Sequence, residues 1–299
     1  MLNFQAYSAQ LPLLEPARPK SQIWRLLMGL VLVAGVFLLC NQVVHQTLFN
    51  VLGPAVYNTA ILSGSGSTQL SALVLLFSFS FLIAGVVVAL KVAHTRGFLA
   101  VFGDFAILRS QFLAVMITLI LVNGAIFLLP PWDLGAPLTA NVPAARWLLV
   151  LPFAVLAVLV QVTAEELLFR GYVQQQLAAR FRSPIIWIIV PAVLFGLGHY
   201  MPNEAGDNAR LIVVWSIVFG ILMADLTARA GTLGPAIAVH FVNNFLAIVV
   251  VSSPDVLSGL SLYISPYSLS DTEELRAWMP VEFAMTIVSW LAARLAIRR

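Results

Sequence analysis

Charge is scarce in this chain. Asp, Glu, Lys and Arg make up 10% of its 299 residues, where a soluble domain carries about 25%. With 61% hydrophobic residues and a mean hydropathy of +0.96, this excludes a globular domain with one anchor and points to an integral membrane protein. Cysteine is nearly absent too. A single Cys40 excludes an internal disulfide, and Leu38-Leu39 before it exclude a lipoprotein-type cleavage site, which needs a small residue there. No A-x-A-like site follows the first apolar run, so that run is expected to be retained as a span. Basic residues form no patch along the chain, and no nucleic-acid partner is expected.

What is abundant is apolar runs. About 20 apolar residues are needed to cross roughly 30 Å of hydrocarbon. The sequence predicts an all-α, polytopic membrane protein with about eight transmembrane helices, near 24–48, 69–92, 110–130, 145–166, 184–200, 210–228, 232–252 and 280–297. The helical pattern of the fourth continues through Gln174-Gln175-Gln176 to Phe181, and Ser183-Pro184 breaks it. Ser63-Gly64-Ser65-Gly66-Ser67 reads as a flexible first loop. The expected organisation is a cytoplasmic tail (1–22), three accessory helices (23–144), a catalytic core (145–252), and an outer loop with the last helix and basic end (253–299). Eight spans put both termini on one side. Arg18, Lys20, Arg25, Lys91, Arg96, Arg109, Arg180, Arg182, Arg229, Arg294, Arg298 and Arg299 fall on that side, against Arg146, Arg210 and Arg276 on the other. The positive-inside rule then places both termini in the cytoplasm of a multi-pass cell-membrane protein.

Against this background, Glu165, Glu166 and Arg170 lie inside or at the end of an apolar stretch. Each charge at the centre of a membrane helix costs roughly 2.5–3.5 kcal/mol. Successive helical residues point about 100° apart. Glu166 and Arg170 are i,i+4 with the acid first, the better order for an ion pair, which leaves Glu165 without a cation. A desolvated carboxylate of that kind suits general acid–base work. His199 ends the apolar run 185–197, and His240 and Asn244 share one helix face. Counted at 1.5 Å per residue from the turn near Ser183, Glu165 and His199 sit roughly 24–27 Å deep. His240 and Asn244 lie roughly 14–20 Å from the turn near Gly231. The depths agree if the first hairpin projects further into the cytoplasm, as its glutamine-rich end suggests. A polar intramembrane cavity follows.

Such a cavity could activate water with Glu165 and a histidine and stabilise an oxyanion with His or Asn donors. No serine or cysteine stands out as a nucleophile. Glu165, His199 and His240 could hold zinc, although there is no His-Glu-x-x-His motif and Asn is an uncommon ligand. Other readings remain. The charges could form a polar knot that only fixes packing. They could also belong to a proton relay, although beyond the site the sequence offers mainly Asn203, Glu204 and Asp207, in a loop.

Glu165-Glu166-x-x-x-Arg170, then Phe195-x-x-x-His199, then His240-x-x-x-Asn244 resembles the three motifs of the CPBP family, the CAAX-protease and bacteriocin-processing (Abi) proteins. Leu167, Phe169 and Gly171 fit the first motif as well. The resemblance covers about 145–250. It implies an eight-helix intramembrane endopeptidase acting on a peptide or membrane-associated protein, with its cavity open to the cytoplasm. In that reading Glu165 activates water with His199, His240 and Asn244 stabilise the tetrahedral intermediate, and Glu166 and Arg170 support the site. The family is named as metalloproteases with zinc inferred, and a metal-free glutamate mechanism is also argued for it. A non-catalytic immunity or scaffold protein of the same family is the alternative.

Overall fold

The computed structural model describes residues 4–62, 66–129 and 137–299. Ser63-Gly64-Ser65 of the expected flexible loop, Pro130 of the third expected span and the first three residues of the tail lie outside them. The protein is an all-α, polytopic membrane protein. Among the described residues six helices are long and apolar enough to cross a membrane: α1 (Ile23–Leu52), α2 (Gln69–His94), α3 (Phe105–Phe127), α4 (Ala144–Arg180), α6 (Ala209–Ala230, with a short lead-in from Pro202) and α8 (Thr272–Ala296). Two apolar helices are shorter: α5 (Pro184–Leu197) and α7 (Gly234–Val250).

The boundaries have local causes. Helix α4 stops at Arg180, Phe181 is extended, and Ser183 with Pro184 at the first helical position starts α5. Helix α3 begins five residues before the expected 110 because the Asp104 carboxylate accepts from the backbone N–H of Ala106 (2.9 Å) and Ile107 (3.0 Å). Helix α8 begins at Thr272 and not at 280. Glu273 and Glu274 sit in its first turn, where the helix dipole favours acids. A three-stranded patch forms from Thr139–Ala140, just before α4, and from Val251–Ser252 and Tyr263–Ile264, between α7 and α8. The last pairs antiparallel with the first and parallel with the second.

Without a hydrophobic drive between helices in lipid, close packing of small residues decides their approach. A Cβ on Gly196 would come within 2.4 Å of Ile217, and one on Gly220 within 2.9 Å of Ala192 Cα, so α5 and α6 are in backbone contact there. This crossing brings Phe195 and Phe219 into a stack, with ring centres 5.9 Å apart.

The polar tail does not hang free. Residues 4–20 form short helical turns that pack on α6 and on the end of α4. Tyr7 Oη donates to Asp225 Oδ1 (2.7 Å), which also accepts from Arg229, and Trp290 Nε1 donates to Asp225 Oδ2 (3.0 Å). Gln174, Gln175 and Gln176 are buried, contrary to the expectation that this end projects outward. Gln174 donates to Ala224 O and Gln175 to Val101 O. Gly231, at φ +72°, closes α6, and a Cβ there would meet Ala9 O at 2.3 Å. Ala9 and Arg299 line one crevice, so the two ends of the bundle's chain lie side by side.

Candidate active site

The two glutamates end the α-helical part of α4, and from Leu167 to Val173 the chain winds as a π-helix. Such stretches are frequent at functional sites. Glu166 and Arg170 form the expected pair, with Nη1 2.8 Å from Oε1 and both side chains sealed from solvent. Arg170 Nη2 reaches Gly220 O at 3.3 Å, and its guanidinium carbon lies 4.7 Å from the Phe195 ring centre.

Glu166 is not reserved for Arg170. Its Oε1 also meets His240 Nδ1 at 2.7 Å. The other ring nitrogen, Nε2, lies 3.5 Å from Glu165 Oε2. His240 is thus wedged between the two carboxylates. It is presented by α7 and held edge-on by Phe219 (5.0 Å) and Phe195 (5.9 Å). Oε2 of Glu165 and Oε2 of Glu166 are buried without a hydrogen-bond donor. Buried carboxylate oxygens with unused acceptor capacity are costly, and here both belong to the same cluster.

Asn244, one turn beyond His240, donates Nδ2 to Gln161 Oε1 (2.9 Å), and its own Oδ1 accepts from Asn243 (3.1 Å). Gln161 sits one turn before Glu165 on α4. Glu165, Glu166, Arg170, His240, Asn244 and Gln161 therefore form one continuous polar seam between α4 and α7. His199 sits apart from it. It follows the end of α5 in a turn, with its Nδ1 2.9 Å from Phe195 O and its ring 4.5 Å from that of Phe195. Among the described residues no hydrogen bond joins it to Glu165. Phe195 is what the two histidines share, since its ring touches both.

Sequence reasoning passed over Gln161 and Phe219. A signal for Gln161 was present, since it is a buried amide in an otherwise apolar run, four residues before Glu165. Phe219 carried none, because one more phenylalanine in a span looks like packing. The zinc expectation meets a geometric difficulty. Among the described residues no three of His, Cys, Asp and Glu are grouped to hold a metal, and both nitrogens of His240 face carboxylates. As arranged, these donors do not fit a three-ligand zinc site, and no step below runs through one.

Comparison with known proteins supplies the context for this seam. Residues 146–246 match the family model described as Type II CAAX prenyl endopeptidase Rce1-like. Over that segment, about a third of its length, the chain is similar to the CAAX-protease (CPBP) family. The matched segment runs from the start of α4 to the middle of α7 and contains every residue of the seam and His199. The chain is also similar to Uncharacterized protein YyaK of Bacillus subtilis (strain 168), 25% identical over 258 residues, which is 83% of this chain and 84% of the relative. No solved structure matches the chain.

Proposed function

We propose that this protein, similar over residues 146–246 to the CAAX proteases, is an intramembrane endopeptidase that hydrolyses a peptide bond with water activated by Glu165. The observation that carries the reading is His240 clamped between Glu166 and Glu165, with carboxylate oxygens of both glutamates left to accept further protons. Glu166 takes Nδ1 of His240 as its donor and so directs Nε2 toward Glu165. Arg170 offsets the charge of Glu166 and fixes that carboxylate from the other side. In the reaction Glu165 takes the proton of a water molecule as it attacks the scissile carbonyl. The tetrahedral oxyanion is then stabilised by Nε2–H of protonated His240 and by the Asn244 amide, which releases Gln161. Glu165 returns its proton to the leaving amine. His199 completes water activation by turning its free Nε2 toward Glu165, a movement within the turn after α5.

The substrate in this reading is a peptide or membrane-associated protein that enters from the lipid or the cytoplasm, and both termini lie in the cytoplasm of a cell-membrane protein. Zinc is the cofactor that the family name suggests, and metal analysis of the purified protein decides it.

The test compares new N-termini by mass spectrometry in membranes carrying wild type, Glu165→Gln and His199→Ala. Loss of a general base costs about 10²–10⁴-fold in rate, so cleavage products should disappear in both variants while the amount of inserted protein is unchanged. Should Glu165→Ala preserve the products or the cellular phenotype, the protein acts as a non-catalytic partner and the hydrolytic reading fails.

A further inference from the structure

A second polar cluster lies away from the proposed hydrolytic site. His94, at the end of α2, lies beside Lys20, Arg25 and Arg96: it meets the Lys20 carbonyl, Arg25 bonds the carbonyl of Ala93, and Arg96 follows two residues on. His94 Nδ1 is 2.8 Å from Lys20 O, and its Nε2 is 2.8 Å from Tyr172 Oη on α4. Arg25 Nη1 donates to Ala93 O at 2.7 Å. Arg96, only 5% exposed, donates through Nη2 to Leu13 O and to Gln175 Oε1.

All these acceptors are neutral. Among the described residues none of the three cations forms an ion pair with a carboxylate. Arg25 Nε and Arg96 Nε and Nη1 are buried with no acceptor at all. Burial alone pulls the Arg96 guanidinium down to about 10, with no neighbouring carboxylate to oppose it. A buried cation without a counter-charge is strongly disfavoured, and the described residues leave the compensating charge to be supplied from elsewhere.

Location says what carries it. The first turns of α1 direct Ile23, Trp24, Leu27 and Val31 outward, and Trp24 stacks under the Arg25 guanidinium at 4.4 Å. An outward aromatic beside cations at the start of an apolar span marks the membrane interface. Basic pockets between helices at that level take phosphate-bearing headgroups, and the planar guanidinium matches phosphate through paired hydrogen bonds. We propose that Lys20, Arg25 and Arg96 bind the phosphate group of an anionic membrane lipid whose acyl chains lie along the outward face of α1. Free phosphate shares the charge but makes no use of that apolar face. Through His94 and Tyr172 the site adjoins the helix that carries the two glutamates, yet it does not depend on what those glutamates do.

The experiment is native mass spectrometry of the full chain with phosphatidylglycerol or phosphatidylcholine, repeated with inorganic phosphate as competitor. Phosphatidylglycerol should be retained preferentially. Each cation near such a surface strengthens attachment about fivefold, so Arg25→Gln and Lys20→Gln should each weaken the preference by about that factor. Arg182→Gln, an exposed cation on the same side, should leave it unchanged. Because Arg96→Gln could fail to fold, Arg96→Lys is made beside it, with helical circular dichroism to qualify both. An unaltered preference in folded Arg25→Gln, or an equal loss in Arg182→Gln, overturns the site. Complete displacement by inorganic phosphate overturns the lipid as its occupant.

Discussion

The residue on which the site turns is Glu166. One oxygen of its carboxylate accepts from both Arg170 and His240. Removing Arg170 would leave that carboxylate in a dry setting with only an imidazole beside it. Breaking a buried pair by deleting one partner costs about 3–5 kcal/mol, so Arg170→Met should unfold at clearly lower temperature in detergent than wild type. Glu166→Gln with Arg170→Met together should recover part of the loss, since neutral groups then replace the pair. Thermal unfolding of the three variants checks this, and equal stability of Arg170→Met and wild type would show that His240 alone satisfies Glu166. The Arg170 pairing was legible because it is a local, i,i+4 relation. His240 lies 74 residues away in the chain, so no spacing rule could assign it to Glu166 and not Glu165, and depth counting brought it only to the right level.

At the scale of elements, two short helices, α5 and α7, carry the two histidines of the proposed site. With 14 residues, α5 rises roughly 21 Å, less than the hydrocarbon thickness. It is too short for a full span, and His199 sits in the turn that follows its C-terminal end. The expected span to 200 was drawn from hydropathy, which does not register that Gly198 closes the helix. The Glu166–Arg170 pair forms as i,i+4 arithmetic expects, while the π-helical stretch Leu167–Val173 that contains Arg170 takes more residues per turn and so rotates the residues after it toward Arg180. That shift is one reason why the glutamines face inward. The other is the N-terminal segment, whose packing no periodicity announced. Its docking carries a pH signature. Burial, reinforced by the hydrogen bond to Asp225, pushes the Tyr7 phenol up from 10.0 to about 12. A group whose folded value is raised contributes fully below the unfolded value and is lost as pH climbs through the folded one. The segment should stay docked below about pH 10 and loosen between 10 and 12, as followed by hydrogen exchange at residues 6–20. Tyr7→Phe should remove that step and expose the segment already at neutral pH. An identical pH profile in Tyr7→Phe would mean that another group holds it.

For the molecule as a whole, the decisive property is its orientation, because the proposed reading has the site reached from the face that carries the termini. The distribution of arginine and lysine argues for the cytoplasm, and a single missed span would invert every later loop and scatter that bias. The adjacency of Ala9 and Arg299 in one crevice agrees with an even number of crossings. So does the packing of α2 and α4 at their opposite ends, where Arg146 Nε donates to Gln69 Oε1 at 2.7 Å. Labelling tests the direction. Cys40 lies half-buried in the apolar α1, so Cys40→Ala gives a background in which single cysteines can be introduced. A membrane-impermeant thiol reagent applied to intact cells should modify Glu273→Cys, in the first turn of the last span, and leave Arg182→Cys unmodified until the cells are opened. The reverse pattern would turn the cavity to the outside and, with it, the class of substrate that could reach Glu165. Labelling of both from outside would require a span fewer or more than the helices provide.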